Sequence, residues 1–287
     1  MKNLKYYFEK AQKEGWAMGQ FNFSDFTQMK AIVSKAAELK SPVILGTSEG
    51  ESKFFGLEEA VALRNVLRNK KKLPIFLNLD HGKTFEYLKQ AIDAGYDMVH
   101  FDGSKLSLQD NIKITKEVQN YAKWKGVLTE GELGVIGTDA SKVYKEKFEI
   151  KEENLTKPHE ANEYVKKTNV DFLAVSIGNF HGMEDSGQEP RLRLDKLEEI
   201  KKALGKSMFV LHGGSGTDEQ DVKKAIELGI VKININTELR LAFSDNLRSA
   251  LQNTDEIVPY KFLPEAQKSV ERVVELKIKL FGSADKV

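Results

Sequence analysis

The chain has 287 residues, a formal net charge of +1 and no cysteine. A charge this close to zero argues against a dedicated surface for nucleic acid or anionic membranes, and a chain without cysteine forms neither disulfides nor thiolate metal sites. The amino terminus has no apolar signal segment, and no apolar run approaches the ~20 residues of a membrane span, so we expect a cytoplasmic protein.

Strand-like apolar runs recur along the chain, and segments with apolar residues at three- and four-residue spacing separate them. The predicted strands are Ala17–Asn22, Pro42–Thr47, Leu73–Leu79, Met98–Asp102, Val127–Glu130, Phe172–Ile177, Met208–His212 and Val231–Asn236. The predicted helices between them are Thr27–Leu39, Leu57–Arg68, Thr84–Ala94, Leu108–Lys123, Asn162–Thr168, Leu194–Leu204 and Glu219–Leu228. This alternation, with no shift in composition, predicts a single-domain α/β protein over residues 1–287, a (β/α)8 TIM barrel. An open doubly wound sheet is the alternative, although such sheets usually have fewer strands.

Three segments depart from the strand–helix rhythm. Leu133–Glu160 and Phe180–Arg193 are long polar connections after the fifth and sixth strands, and such loops are typical of lids or binding loops. A helical tail follows Thr237, with Phe262–Phe281 as its clearest helix. We expect this C-terminal helical extension to cover the barrel or to join a partner subunit.

The third predicted strand ends in an acid and an imidazole, Asp80 and His81. In parallel barrels and sheets, ligands bind at the carboxyl ends of the strands, so Asp80 could be a general acid or base and His81 a metal ligand. Alternatively, Asp80 caps the next helix and His81 lies at the surface, since Asp is a strong N-cap residue.

Three of the five histidines, namely His81, His181 and His212, follow predicted strands. Three neutral imidazoles with an open fourth position are typical of a catalytic zinc site, and the alternative is three unrelated histidines. We interpret His100, inside the fourth strand, and His159, in a polar connection, as structural or surface residues.

A glycine-rich segment, His212 to Thr217, follows the seventh strand and precedes a helix. Its backbone N–H groups can approach an anion closely, and phosphate is the natural ligand. The eighth strand ends in Asn234–Thr237, and barrels often bind phosphate after strands seven and eight. A metal beside a phosphate site and a carboxylate suits proton transfer at a carbon next to a carbonyl group.

With these motifs the sequence resembles the class II, metal-dependent family of fructose-bisphosphate and tagatose-bisphosphate aldolases, nearly from end to end. The most specific segments are Leu77–Gly82, Phe101–Ser104, Glu130–Gly134, Gly178–Gly182, His212–Gly216 and Lys232–Glu238. The resemblance implies that Asp80 is the catalytic proton donor. It implies a catalytic zinc ion bound by the three histidines, and a second divalent or a monovalent cation. The matching positions for the second metal, or for another position of the first, are Asp102 and Glu132. The matching positions for dihydroxyacetone phosphate are Gly182, Gly213, Gly214, Ser215, Asn234, Ile235, Asn236 and Thr237, and Ser48 lies in a stretch like one that lines the family's substrate pocket.

The chain departs from the family pattern at two positions. In the lid motif after the fifth strand, Asp139 remains, but Ala140 stands where an acid is often credited with proton transfer. Near the end of the chain, Tyr260 stands where an arginine commonly reaches the far phosphate. The ketone-side half of the substrate site therefore matches the family, and the aldehyde-side half is altered.

The resemblance implies a lyase that cleaves fructose 1,6-bisphosphate reversibly to dihydroxyacetone phosphate and glyceraldehyde 3-phosphate, acting as a homodimer or homotetramer. One alternative is a relative that acts on tagatose 1,6-bisphosphate or another ketose 1-phosphate. Another is a member that binds metal and sugar phosphate without turnover, which only Ala140 supports. A Schiff-base aldolase is disfavoured because Lys232 lies in a strand with no reason to lose its proton.

Overall fold

The protein is described here from a computed structural model covering residues 2–137, 142–144, 150–184 and 191–287. Parallel strands close into a barrel, and barrel strands that follow one another along the chain lie side by side in it. The barrel strands are Met18–Asn22, Val43–Ser48, Ile75–Gly82, Met98–Phe101, Leu128–Leu133, Phe172–Val175, Met208–Leu211 and Ile230–Ile235. The first strand pairs with the second, Gln20 beside Ile44, and with the eighth, Met18 beside Lys232, which closes the ring. The predicted (β/α)8 barrel is confirmed, and the open-sheet alternative is wrong.

Helices alternate with the barrel strands along the chain. Those that match the prediction are Phe26–Glu38, Leu57–Lys71, Phe85–Ala94, Leu108–Lys125, Pro158–Thr168, Leu194–Leu204 and Glu219–Glu227. Two α-helices, Leu4–Glu14 and Glu49–Phe55, have no counterpart in the prediction. Within the two long connections, Val143–Tyr144 pairs with Met183–Glu184 in a small separate sheet. None of the helices in the described ranges is long and apolar enough to cross a membrane.

The chain ends in two helices, Thr237–Gln252 and Pro259–Leu280, that pack against each other. The second also packs against Phe26–Glu38, and its buried face joins the main hydrophobic core. Just beyond it, Phe281 accepts a hydrogen bond from the backbone N–H of Ala17 at 3.0 Å. The tail therefore covers the barrel, which is one of the two roles predicted for it.

The amino end of the barrel is closed by apolar side chains. Helix Leu4–Glu14 buries Tyr7 and Phe8, and the ring of Phe8 lies 4.4 Å from that of Phe172, centre to centre. The buried side chains in the same cluster that come from the strands are Met18, Ile44, Phe76, Met98, Phe172, Ala174, Val210 and Val231. Polar chemistry is thereby confined to the opposite, carboxyl end of the barrel.

Candidate active site

Asp80 lies near the carboxyl end of the third strand, which continues to Gly82, and its side chain is buried. Its carboxylate accepts hydrogen bonds from Asn22 Nδ2 and from Asn234 Nδ2, each at 3.0 Å. The helix that follows is capped by Thr84, so the capping interpretation of Asp80 is wrong. Three different strands therefore meet at one buried carboxylate.

His81 has a backbone φ of 53°, in the left-handed region that residues other than glycine rarely adopt. Its backbone N–H donates to His100 Nδ1 at 3.1 Å. The centre of its ring lies 4.7 Å from the rings of both His181 and His212. Strained backbone of this kind persists where surrounding contacts hold it, and it is concentrated at functional sites. The structure thus brings the rings of the three predicted ligands together, and the ligand atoms that lie within 4.8 Å of one another belong to Asp80, His81, His100 and His212.

The two ring nitrogens of His81 face two different groups of candidate ligand atoms. On one side, His81 Nε2 lies 3.1 Å from His212 Nδ1 and 3.9 Å from Asp80 Oδ1. On the other side, His81 Nδ1 lies 3.5 Å from Asp102 Oδ2 and 3.8 Å from Glu132 Oε2. The site therefore contains two adjoining positions at which a cation could be bound.

These residues fit a divalent metal ion. Two nitrogen ligands of one tetrahedral zinc ion lie about 3.4 Å apart, because each Zn–N bond is about 2.0–2.1 Å. The separation of 3.1 Å between His81 Nε2 and His212 Nδ1 is close to that value. In addition, the buried Glu132 Oε2 has no described hydrogen-bond partner of good geometry; it lies 3.2 Å from His100 Nε2 and 3.8 Å from His81 Nδ1, where it could bind a cation together with His81. A set of imidazoles and carboxylates suits zinc or a similar ion.

His212 is oriented by a buried ion pair behind it. His212 Nε2 lies 2.6 Å from Glu130 Oε1, and Glu130 Oε2 accepts from Lys232 Nζ at 2.7 Å. With Nε2–H donating to the carboxylate, His212 Nδ1 is left as the nitrogen that can bind a metal. Lys232, fully buried and paired with Glu130, has no free amine for Schiff-base chemistry.

Burial sets the protonation of two imidazoles. It lowers the pKa of His181 well below its ordinary value, and the nearby His81 and His212 lower it further. Burial also lowers the pKa of His212, although the hydrogen bond with Glu130 acts in the opposite direction. Both rings are therefore neutral near pH 7, as metal binding requires.

The pKa values of the two aspartates in the site are lowered as well, which favours their charged forms. Burial raises the pKa of Asp80, but the charge of His81 and the contact with His100, whose Nδ1 lies 3.6 Å away, outweigh it and hold this pKa well below its usual range. The pKa of Asp102 is also lowered: burial raises it, and contact with His81 more than offsets that effect. Asp80 is therefore ionised at neutral pH and is available as a base.

His100, interpreted from the sequence as a structural or surface residue, is fully buried beneath the site. Its Nδ1 accepts the hydrogen bond from the His81 backbone N–H, and its Nε2 lies 3.2 Å from Glu132 Oε2. It supports the strained backbone at His81 and contacts a candidate ligand. His159, in contrast, is 79% exposed on its helix.

The glycine-rich segment forms a close-fitting loop beside the histidines. Gly213 has a φ of 62°, and a Cβ atom there would lie 2.0 Å from the carbonyl oxygen of Phe180. No other residue type fits that position, and Gly182 likewise has a positive φ, of 102°. Helix Thr237–Gln252 begins next to this loop, and its cap Asn236 makes no side-chain capping bond. Helix N-termini and such loops bind anions through backbone N–H groups.

Two cavities meet at the histidines, and they share Ser48, His81 and His181. The inner cavity has a volume of about 210 Å³. It is lined by Ser48, Asp80, His81, His181, Gly182, His212, Gly213, Ser215, Asn234, Asn236, Thr237 and Arg240. Most predicted site residues are thus brought together here. Gly214 and Ile235 line neither cavity, and the Ile235 side chain lies in the core.

The outer cavity is larger, about 740 Å³, and contains Asp102 and Glu132. The other charged residues that line it are Glu49, Lys53, Lys83 and Lys105. Tyr260 lines neither cavity and is 75% exposed at the start of the last helix. The lid positions Asp139 and Ala140 lie outside the described residues.

Comparison with known proteins defines the class of this barrel. The family described as fructose-bisphosphate aldolase class-II matches residues 2–286. The chain belongs to this family, so it is a metal-dependent aldolase and a lyase.

Individual relatives agree with this assignment. The chain is 36% identical over 280 residues to a fructose-bisphosphate aldolase of Staphylococcus aureus (strain Mu50 / ATCC 700699), covering 96% of this chain and 95% of the relative. It is 37% identical over 279 residues to a sulfofructosephosphate aldolase of Alkalicoccus urumqiensis, covering 97% and 95% of the two chains. The crystal structure of the YdjI aldolase from Escherichia coli K12 superposes with a TM-score of 0.83 at 29% identity, covering 100% of this chain and 99% of that one.

Proposed function

We propose that this protein cleaves fructose 1,6-bisphosphate reversibly to dihydroxyacetone phosphate and glyceraldehyde 3-phosphate, with zinc as the catalytic metal. The observation that carries the proposal is the position of Asp80, a buried carboxylate held by two amide donors and 3.9 Å from His81 Nε2. A base beside a metal position and an anion-binding loop is suited to metal-assisted aldol cleavage of a ketose phosphate. We further propose that the protein is cytoplasmic and forms a homodimer or homotetramer.

We assign the catalytic metal to His81, His181 and His212, and an additional cation to the side of Asp102 and Glu132. When bound, the metal supplies Lewis-acid polarisation of the substrate carbonyl group. The chain's own part is to keep the rings of His181 and His212 neutral through burial, and to orient His212 through its hydrogen bond with Glu130.

Asp80 is assigned the proton transfer. Cleavage of the bond between C3 and C4 requires removal of the proton from the C4 hydroxyl, which becomes the aldehyde oxygen. The ionised Asp80 takes that proton as the aldehyde C=O forms, and the electron pair of the C3–C4 bond stays on the ketone-side fragment as an enediolate. Protonation of this fragment at C3 then gives dihydroxyacetone phosphate. In the reverse direction Asp80 returns its proton to the new C4 hydroxyl group. Asn22 and Asn234 hold the carboxylate in one orientation for both directions.

The two cavities are assigned to the two ends of the substrate. The inner cavity, with Gly182, Gly213, Ser215 and the start of helix Thr237–Gln252, takes the ketone-side phosphate. The outer cavity takes the aldehyde-side fragment. Lys53, Lys83 and Lys105 there favour an anionic group at that end of the substrate.

Other ketose phosphates are the alternative substrates. Tagatose 1,6-bisphosphate and other ketose 1-phosphates have the same ketone-side half. The relatives named for fructose bisphosphate and for sulfofructose phosphate are almost equally similar to this chain. Tyr260, which cannot form a bidentate ion pair with phosphate, favours a substrate whose far end is bound less tightly. Removal of the 1-phosphate should therefore cost more in kcat/KM than removal of the 6-phosphate.

A coupled assay on the metal-loaded enzyme tests the proposal. The panel contains fructose 1,6-bisphosphate, tagatose 1,6-bisphosphate, fructose 1-phosphate and sulfofructose 1-phosphate. We expect cleavage of fructose 1,6-bisphosphate with the highest kcat/KM. A higher value for another member would replace the proposed substrate and keep the chemistry. Binding of these compounds without cleavage of any of them would support a non-catalytic family member instead.

A further inference from the structure

A series of hydrogen-bonded side-chain amides inside the barrel, which we call the amide chain, leads to the carboxylate of Asp80. Asn78 Nδ2 donates to Gln20 Oε1 at 2.8 Å, and Gln20 Nε2 donates to Asn22 Oδ1 at 3.0 Å. Asn22 Nδ2 in turn donates to Asp80 at 3.0 Å. Asn78 and Gln20 are completely buried, and neither lines the inner or the outer cavity. They therefore meet the reacting groups only indirectly, through Asn22.

The direction of every hydrogen bond in the amide chain is set at its charged end. Asn22 Nδ2 lies between two carboxylates, at 3.0 Å from Asp80 Oδ2 and 3.1 Å from Glu51 Oε2. Because an ionised carboxylate only accepts hydrogen bonds, the Nδ2 side of the Asn22 amide must face both, and Asn22 Oδ1 needs a donor elsewhere. Gln20 Nε2 is that donor, and Asn78 Nδ2 satisfies Gln20 Oε1. Each amide thus fixes the orientation of the next.

A glycine in the second barrel strand lets these amides meet. Gln20 and Asn22 come from the first strand, whereas Asn78 comes from the third. Between them, Gly46 pairs with Asn22 on one side and with Asn78 on the other. A Cβ atom at Gly46 would collide with Asn22 Oδ1 and would lie 2.6 Å from Gln20 Nε2. The second strand therefore leaves room for contact across it, which a side chain would fill.

We propose that Gln20 is a positioning residue for catalysis, which acts through Asn22 to hold the Asp80 carboxylate in the orientation that removes the C4 hydroxyl proton. Asn78 is the outer anchor of the amide chain. This inference rests on the proposed function, because it takes Asp80 as the base. Without Gln20, the buried Asn22 Oδ1 has no donor, so the amide turns or recruits water and holds Asp80 less firmly. A displaced base costs rate rather than substrate binding.

The first test compares Gln20→Met with Gln119→Met in the zinc-loaded protein. Methionine has nearly the shape of glutamine but no amide. Gln119 is a second buried glutamine, and its hydrogen bonds, with Thr129 Oγ1 and with the Asn169 carbonyl group, do not involve the site residues. We expect Gln20→Met to lower kcat for cleavage by about 10- to 100-fold, while the Kd values for zinc and dihydroxyacetone phosphate change by less than about threefold. Gln119→Met should change all three quantities by less than about twofold.

A partial reaction separates the positioning of Asp80 from general damage to the site. Dihydroxyacetone phosphate exchanges the hydrogen of its hydroxymethyl carbon with solvent deuterium through the same enediolate. This exchange involves no C4 hydroxyl group, so it does not need the proton that Asp80 moves. NMR measures its rate. We expect Gln20→Met to keep the exchange rate within about threefold of wild type while cleavage falls.

A double-mutant cycle tests whether Gln20 acts through Asp80. In an Asp80→Ala background, Gln20→Met should lower kcat by less than about twofold, because the group that it orients is already absent. Asn78→Leu, which removes the first donor of the amide chain, should lower kcat by about three- to tenfold. If Gln20→Met fails to fold, as its unfolding midpoint and zinc content would reveal, Asn78→Leu takes its place in every measurement.

Three results would overturn this inference alone. They are wild-type kcat in the folded, zinc-loaded Gln20→Met protein, an equal loss of exchange and cleavage, and an undiminished effect of Gln20→Met in the Asp80→Ala background. Failure of the wild type to cleave any ketose phosphate would overturn the proposed function as well.

Discussion

The two ends of the barrel are built from the same strands but stabilised in different ways. At the amino end, Phe8 and Phe172 belong to an apolar cluster that helix Leu4–Glu14 closes. At the carboxyl end, Asp80, Glu130 and Lys232 are just as deeply buried, and each depends on specific hydrogen bonds or ion pairs. Apolar packing stabilises through buried area, whereas buried charges contribute mainly when every partner is present.

This difference separates stability from chemistry along the barrel axis. A change at the apolar end should lower the free energy of unfolding and leave the chemistry intact. A change at the polar end should affect the chemistry first, because the positions of protons and ligands depend on single contacts.

The largest expected effect at the polar end comes from Asp80→Ala. The variant should keep its metal and lose about 10²–10⁴-fold in kcat, because it lacks the group that moves the proton. The measurements are kcat for cleavage and the metal content of the purified variant. Asp195→Ala, an exposed aspartate outside the site, is the control and should keep wild-type activity. If Asp80→Ala loses its metal but retains its rate per bound ion, Asp80 acts only by supporting the ligands.

A smaller effect is expected from Glu130→Gln, which disturbs the orientation of His212. The amide cannot hold both His212 and the Lys232 ammonium as the carboxylate does, so affinity for zinc should fall by about 10–100-fold. A chelator competition titration measures this affinity. The account of His212 orientation would fail if the variant bound zinc as tightly as the wild type.

The smallest effect on catalysis is expected at the apolar end, for Phe8→Ala. Loss of this buried ring should lower the free energy of unfolding by about 3–5 kcal/mol while kcat changes by less than about twofold. Urea denaturation and the cleavage assay measure the two quantities. Tyr6→Ala, on the same helix but 39% exposed, is the matched control and should cost much less stability. A large fall in kcat for folded Phe8→Ala would show that the two ends are coupled.

Much of the fold could be predicted because parallel strands buried on both faces are strongly apolar. All eight predicted strands and the intervening helices are present. Helix Leu4–Glu14 has no counterpart in the prediction, although the apolar spacing of Leu4, Tyr7, Phe8 and Ala11 carries the helical signal. The exposed face carries Lys5, Glu9, Lys13 and Glu14, which make the segment as a whole resemble a polar terminus.

The candidate site could be predicted only where a polar residue interrupts or follows a strand. Asp80 and the three histidines meet that condition. The roles of His100, Glu130 and Lys232 could not be predicted, because a single sequence does not show which side chains of a strand point into the barrel or meet across it. The contact between Asn78 and Gln20 joins residues 58 positions apart, and only the closed barrel brings them together.

The central claim is that His81, His181 and His212 bind one catalytic metal ion beside Asp80. The most direct test measures zinc per chain together with activity, before and after exhaustive chelation and after zinc is returned. We expect about one ion per chain at the catalytic position, complete loss of cleavage on chelation and recovery with added zinc. Full activity in a protein shown to contain no metal would contradict the account.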